Sequence, residues 1–323
     1  MHSNYYGIDI SKLTFDTVDQ EGKHSRYSND KRGFKEFSKN ICKESLCVME
    51  STGIYHLELA RFLHTKSVAI SVVNPLRIKR FSQMNLQRNK TDKADAKMIS
   101  LYAQNQEVKL WKPAPKEVEE VKDICQVLEQ YIEFRSGLKN KLDALKIKKA
   151  PKSLVNSVLD QIETVSVSIE ELQKTADDLT ASYKPEMLKN ILSIKGIGKR
   201  TASLIIMASG GFEDFENAKQ LSSYFGLAPT ETSSGTSING SGKISKMGNP
   251  LVRKKLYMCS LQASRCNTSC KNLYERLLAK GKPKKVALIA VANKLIKQVF
   301  AIAKSGLPYD DEYKSTFKSK NIG

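Results

Sequence analysis

The sequence predicts an α/β domain with a mixed sheet, followed by a mainly helical half. Three observations carry this. Three short alternating strands open the chain and give way to a helix–strand–helix–strand alternation; two long heptad seams follow a proline-rich joint; and a polar Gly/Ser segment precedes a strongly apolar late helix. A length of 323 residues accommodates about two domains.

The stretches "NYYGIDIS", "LTFDTVD" and "HSRYSN" read as a meander, with "DQEGK" as the turn between the second and third strands. "KRGFKEFSKNI" is an amphipathic helix. "SLCVME" and "VAISVVN" are continuously apolar and therefore buried strands, separated by the helix "IYHLELARFLHTK". "TDKADAKMISLYAQ" is a further helix, so residues 1–110 form the α/β domain.

"WKPAP" at 111 to 115 reads as a linker. Val121, Ile124, Leu128, Tyr131, Leu138, Leu142 and Leu145 form one heptad seam, interrupted at Arg135. Val155, Val158, Ile162, Val165, Ile169, Leu172, Ala176 and Leu179 form a second after Pro151. Residues 111–183 are thus a helical hairpin or coiled-coil stalk expected to dimerise, the alternative being packing against the chain's own domains.

Residues 184–323 make the remaining domain. "ILSIKGIGKRTASLIIMASGG" resembles a helix-hairpin-helix element, in which glycines admit a phosphate to a helix N-terminus, and it reads equally as a tight αα turn. Lys199 and Arg200 favour contact with a nucleic-acid backbone. Residues 230–249 read as a flexible polar loop, and the helix after it carries Arg253, Lys254 and Lys255. "VALIAVANKLIKQVFAIA" contains Lys294 and Lys297, which marks a buried amphipathic helix and not a membrane span.

Charge and composition narrow the function. Lys and Arg number 53 against 34 Asp and Glu, a net charge of +19. Such a surplus favours a polyanionic partner, nucleic acid before membrane, since no basic amphipathic anchor accompanies it. The opening "MHSNYYGIDISK" has no apolar leader, so a cytoplasmic, nucleoid-associated protein is expected. Six cysteines without a C-x-x-C pair and four scattered histidines give no zinc pattern. Cys259, Cys266 and Cys270 are spaced for one face of a single helix, where core packing explains them. Without a G-x-x-x-x-G-K-[ST] loop, nothing argues for nucleotide hydrolysis.

Four acids carry the candidate chemistry. Asp9 sits in the C-terminal half of the first strand and Glu50 at the last residue of the fourth, and a carboxylate in a buried strand costs several kcal/mol unless it is compensated. Ligands of open α/β sheets bind at strand C-terminal edges. If strands one and four are neighbours, Asp9 meets Glu50 there, and the later helix adds Asp92 and Asp95. Helix initiation by Thr91 with acids in the first turn also accounts for the last pair, as turn formation does for Asp9 and capping for Glu50. Convergence of all four calls for hard cations, Mg²⁺ or Mn²⁺, and two such ions support in-line phosphoryl transfer.

The series "GIDIS", "MESTG", "VVNPLRIKRF" and "RNKTDKADAKMI" resembles the DEDD-type insertion-sequence transposases, relatives of the pilin-gene invertases. The resemblance implies a ribonuclease-H-like, resolvase-like first domain with Asp9, Glu50, Asp92 and Asp95 as metal-binding catalytic tetrad, and a dimer. The C-terminal pattern in "GLAPTETSSGTSINGSGKISKMGNPLVRKKL" is similar to that family's transposase domain, which implies Ser234 as nucleophile. Lys243 and Lys246, with Lys199, Arg200, Arg253 and Lys254, are the expected nucleic-acid contacts. The resemblance also implies an element-encoded guide RNA, consistent with the absence of a base-reading module. Three classes therefore compete: a DNA recombinase acting on element ends and target, a hydrolytic junction nuclease, and a non-catalytic nucleic-acid-binding protein.

Overall fold

Five strands form one mixed sheet in the order β3-β2-β1-β4-β5. They are β1 (Asn4–Ile10), β2 (Thr14–Asp19), β3 (His24–Ser28), β4 (Ser45–Glu50) and β5 (Ala69–Val73). β1 and β2 pair antiparallel, as do β2 and β3, whereas β4 runs parallel to both β1 and β5. The computed structural model describes residues 4–51, 53–86, 91–230, 233–234, 238–239, 243–245 and 247–312. The chain divides into two compact units, Met1–Pro113 and Ala114–Gly323.

In the first unit, α1 (Lys31–Ser38) and α2 (Leu57–Thr65) cover one sheet face, burying Phe34, Phe37, Leu59 and Leu63 against Ile8, Phe15 and Met49. Asp30 starts α1 by accepting from the backbone N–H groups of Arg32 and Gly33. The opposite face takes α3 (Pro75–Met84) and α4 (Asp92–Asn105), through Ile78, Phe81, Ile99 and Tyr102 over Leu46 and Val48. Helix α3 begins with Asn74 capping and Pro75 at its first position.

The 111–115 linker is tied down at its start. Trp111 donates its backbone N–H to Ile70 O at 2.7 Å, and Ser71 Oγ donates to Lys109 O at 2.9 Å, so the segment follows the edge strand β5.

The second unit begins with α5 (Lys116–Ile147) and α6 (Lys152–Tyr183), each 32 residues long and joined at Pro151. Leu128, Val165 and Ile169 pack between them, and Arg135, which interrupts the seam, donates to Ser166 Oγ at 3.3 Å. The remaining helices are α7 (Pro185–Leu192), α8 (Lys199–Ala208), α9 (Ala218–Tyr224), α10 (Pro250–Cys266), α11 (Thr268–Ala279) and α12 (Lys284–Ser305). Val118, Val121 and Ala176 at the base of the hairpin meet Met207 of α8. Helix α12, long and apolar enough by composition to cross a membrane, is the core helix here, with Val291, Ala292, Leu295, Ile296 and Val299 fully buried.

Two expectations are corrected. The 230–249 segment is not wholly loop: β6 (Pro229–Thr230) pairs with β9 (Lys243–Ile244), and β7 (Ser233–Ser234) with β8 (Ile238–Asn239). The three late cysteines do not share one helix. Asn267 ends α10 and caps α11 by accepting from the Cys270 N–H at 3.1 Å, which places buried Cys270 on the next helix.

Candidate active site

A row of charge crosses the sheet near the C-terminal end of β1. Asp9 stands opposite Asp16 in the β1–β2 register, and Asp16 opposite Arg26 in the β2–β3 register. On the other side Ile8 aligns with Met49, so Asp9 and Glu50 follow together at the next position of the parallel pair. The neighbour relation that the sequence reading needed between strands one and four is therefore present.

Helix α4 crosses β1 two residues before Asp9. A Cβ on Gly7 would stand 2.1 Å from Ser100 N and 2.2 Å from Ala96 O, so only glycine lets the helix backbone lie so close to the strand. Alternate strand residues share a face, which turns Asp9 toward the same helix. Thr91 Oγ1 accepts from Ala94 N at 3.2 Å and fixes the start of α4, placing Asp92 and Asp95 in its first turn. Helix initiation by Thr91, with Asp92 and Asp95 in the first turn, is thus realised.

Electrostatics report the convergence. Burial pushes the Asp9 carboxyl up to about 6, and the charges of Asp95, Asp92, Glu50 and Asp16 add to it in falling order. The charges of the other three predicted acids thus bear on Asp9, as does that of Asp16.

Asp16 was not anticipated. It is 3% exposed and is compensated from β3: His24 Nε2 lies 2.6 Å from Oδ1, and Arg26 Nε lies 3.1 Å and 3.0 Å from the two carboxylate oxygens. Arg26 Nη2 then reaches Asp92 Oδ2 at 2.8 Å. Asp16, His24, Arg26, Thr91, Asp92 and Lys93 line an open cavity of about 550 Å³. The sequence signal was slight: an acid amid buried neighbours in "TFDTVD", with an Arg in the next strand.

The donor set is all oxygen, as a hard divalent ion prefers. Among the described residues, though, no three Asp, Glu, His or Cys side chains are gathered closely enough to hold a metal ion. One carboxylate oxygen of Asp92 is instead paired with Arg26 at an exposed helix start.

The predicted residues of the second unit form a separate group. Ser234 lies in β7 opposite Ile238, Lys243 in β9, and Lys246 outside the described residues. Lys199 Nζ stands 3.5 Å from Asp177, and Arg200 donates to Gln173. Arg253 Nη1 donates to Phe225 O at 3.0 Å, and Lys254 pairs with Glu129 and with Glu133. Gly196 adopts φ +100, and its added Cβ would meet Ala263 Cβ at 2.7 Å, so this glycine serves the packing of the α7–α8 turn on α10.

Comparison with known proteins places the chain in a family. Residues 188–275 match the family described as "Transposase IS116/IS110/IS902 family", and residues 6–145 match a DEDD-type family described as "Transposase". The chain belongs to the IS110-type insertion-sequence transposases. It is 29% identical over 323 residues to the pilin gene-inverting protein of Moraxella bovis, covering 96% of this chain and 98% of that protein. The transposase for insertion sequence element IS1111A of Coxiella burnetii is 23% identical, with 92% and 88% of the two chains covered. This transposase thus carries its acidic sheet edge within the span of the DEDD-type match, while Ser234 falls within the second match.

Proposed function

We propose that this transposase cuts and rejoins DNA at the ends of a mobile element, with Asp9, Glu50, Asp92 and Asp95 as metal ligands and Ser234 as nucleophile. The observation that carries the reading is the raised Asp9 carboxyl, which feels Asp95, Asp92 and Glu50 together at one sheet edge. An oxygen-only set of this kind suits Mg²⁺ or Mn²⁺, which when bound would polarise the scissile phosphate and stabilise the leaving oxygen.

The chain's own residues do the rest. Asp9 and Glu50, on neighbouring parallel strands, supply the rigid side of the site, and Asp92 and Asp95 supply the helical side. Ser234 Oγ loses its proton and attacks the scissile phosphorus, the phosphodiester P–O bond to one sugar oxygen breaks, and that oxygen leaves as a protonated hydroxyl; the phosphoserine link keeps the bond energy, and the reverse step rejoins the strand. It lies in the other compact unit, so the reading requires the two units, from one chain or two, to meet on DNA. A relative named for inverting a pilin gene supports rejoining over hydrolysis, because inversion reconnects what it cuts.

A homodimer or larger assembly is part of the proposal. Val127, Tyr131, Phe134, Leu154, Leu159 and Val167 leave apolar surface exposed along α5 and α6, as a stalk awaiting a second copy does. Lys199 and Lys254 remain half-exposed despite their carboxylate partners and keep donors for phosphate. A structured guide RNA completes the proposal, supported by the family resemblance and the +19 charge.

The test is incubation of the purified transposase with Mg²⁺ and element-end DNA. Protein-linked ends that vanish in Ser234→Ala support recombination; free ends mean hydrolysis, and intact DNA means binding alone. Copurifying nucleic acid that resists RNase removes the guide-RNA element of the proposal.

A further inference from the structure

Arg26 lies outside the tetrad yet contacts one of its members, Asp92. Asp16 is buried, and its carboxylate is saturated by His24 Nε2 and by the fork of Arg26, so Asp16 anchors the guanidinium. The Arg26 side chain is nevertheless 54% exposed, and the Asp92 side chain 66% exposed. The two ends of the guanidinium thus differ. Nε is held against the buried Asp16 carboxylate alone, while Nη2 is shared: it lies 3.0 Å from Asp16 Oδ2 and 2.8 Å from Asp92 Oδ2, a carboxylate open to solvent on the wall of the cavity shared with Thr91 and Lys93.

We propose that Arg26 is an exchangeable counter-ion: it holds Asp92 while the acidic edge is metal-free, and offers Nη2 to a phosphodiester oxygen of the bound DNA once Asp92 turns to a divalent ion. The inference rests on the metal reading of Asp9, Glu50, Asp92 and Asp95. Four carboxylates around one edge repel each other without a cation, and Arg26 supplies part of that compensation to Asp92. A guanidinium pairs as well with phosphate as with carboxylate, so the exchange replaces one charge-assisted hydrogen bond by another. Because Asp16 keeps the Nε end in place, the exchange needs no large movement of Arg26. Lys93 and Thr91 line the same cavity and offer further donors to the anion. DNA is favoured over other anions because the cavity adjoins the acids that this reading assigns to strand cleavage.

The proposal predicts opposite effects on two ligands, which a merely structural role does not produce. Mn²⁺ binding is measured by loss of the free-ion electron paramagnetic resonance signal, without DNA. Affinity for a linear duplex of random sequence is measured by fluorescence anisotropy in Mn²⁺ and in EDTA. In Arg26→Gln, Mn²⁺ binds more tightly, about threefold or more, because a competing cation has gone. The gain in DNA affinity that Mn²⁺ confers on the wild type falls by about tenfold, as for the loss of one charge-assisted contact. Arg26→Lys restores part of both. Weaker Mn²⁺ binding in Arg26→Gln, or an unchanged Mn²⁺-dependent gain in DNA affinity, overturns the proposal. Failure of the wild type to take up Mn²⁺, or undiminished uptake by Asp9→Asn, overturns instead the metal reading beneath it.

Discussion

Arg26 Nη2 lies 2.8 Å from Asp92 Oδ2, and its Nε spans both oxygens of Asp16, so one side chain on β3 ties the neighbouring strand to the first turn of α4. Removing the buried anchor leaves His24 and Arg26 without their common acceptor. Asp16→Ala is expected to lower the stability of the first unit by about 1–3 kcal/mol, the lower part of the range reflecting the exposure of Arg26. Chemical denaturation of the two proteins checks it; equal midpoints contradict the anchoring role.

Asp9 makes the metal-free protein sensitive to pH. Its folded pKa of about 6 lies above the ordinary carboxylate range, so the folded state holds a proton that the unfolded state has released. The resulting penalty is absent below about pH 4, grows as pH rises toward 6 and is complete above it. In EDTA the transposase should therefore melt higher at about pH 5 than at about pH 7.5, other groups being equal, and Asp9→Asn should reduce that difference. A difference as large in Asp9→Asn assigns the dependence to another group.

Gly7 sets the distance between β1 and α4. In Gly7→Ala the new methyl meets helix backbone, not a movable side chain, so α4 must shift and carry Asp92 and Asp95 with it. Stability should fall by about 2–3 kcal/mol, and metal-dependent strand cleavage should fall further than DNA affinity does. Cleavage at wild-type rate by a folded Gly7→Ala protein contradicts the assignment of these acids.

Lys254 separates charge from stability. Its pairing with Glu129 and Glu133 is half-exposed, so Lys254→Ala should change stability by less than about 1 kcal/mol. If Lys254 also meets a phosphate, the slope of log DNA affinity against log salt becomes shallower by about one. An unchanged slope removes Lys254 from the DNA-contacting set.

Most of the sheet was readable because its strands announce themselves. "SLCVME" and "AISVV" are continuously apolar and buried, and the polar turn before His24 separates two alternating strands. Asp9 and Glu50 were legible as charges where burial makes charge expensive. Asp16 and Arg26 were not, because an acid and a base in alternating strands resemble a solvated face until the register sets them opposite each other. Gly7 was equally hidden, since its need arises from a helix about ninety residues away in sequence. In the second unit, the helix break at Asn267 was signalled only by a capping residue inside a helix-like spacing, and the short ladders around Ser234 are too brief to leave a periodic pattern.

The central claim is that the acids at the sheet edge hold the metal that cuts DNA. Its most direct test measures strand cleavage of element-end DNA, with guide RNA if one copurifies, by wild-type, Asp9→Asn and Asp92→Asn transposase in Mg²⁺, alongside their DNA affinities. The account predicts cleavage by the wild type alone, abolished in EDTA, with affinities of all three proteins nearly equal. Undiminished cleavage by both variants contradicts it.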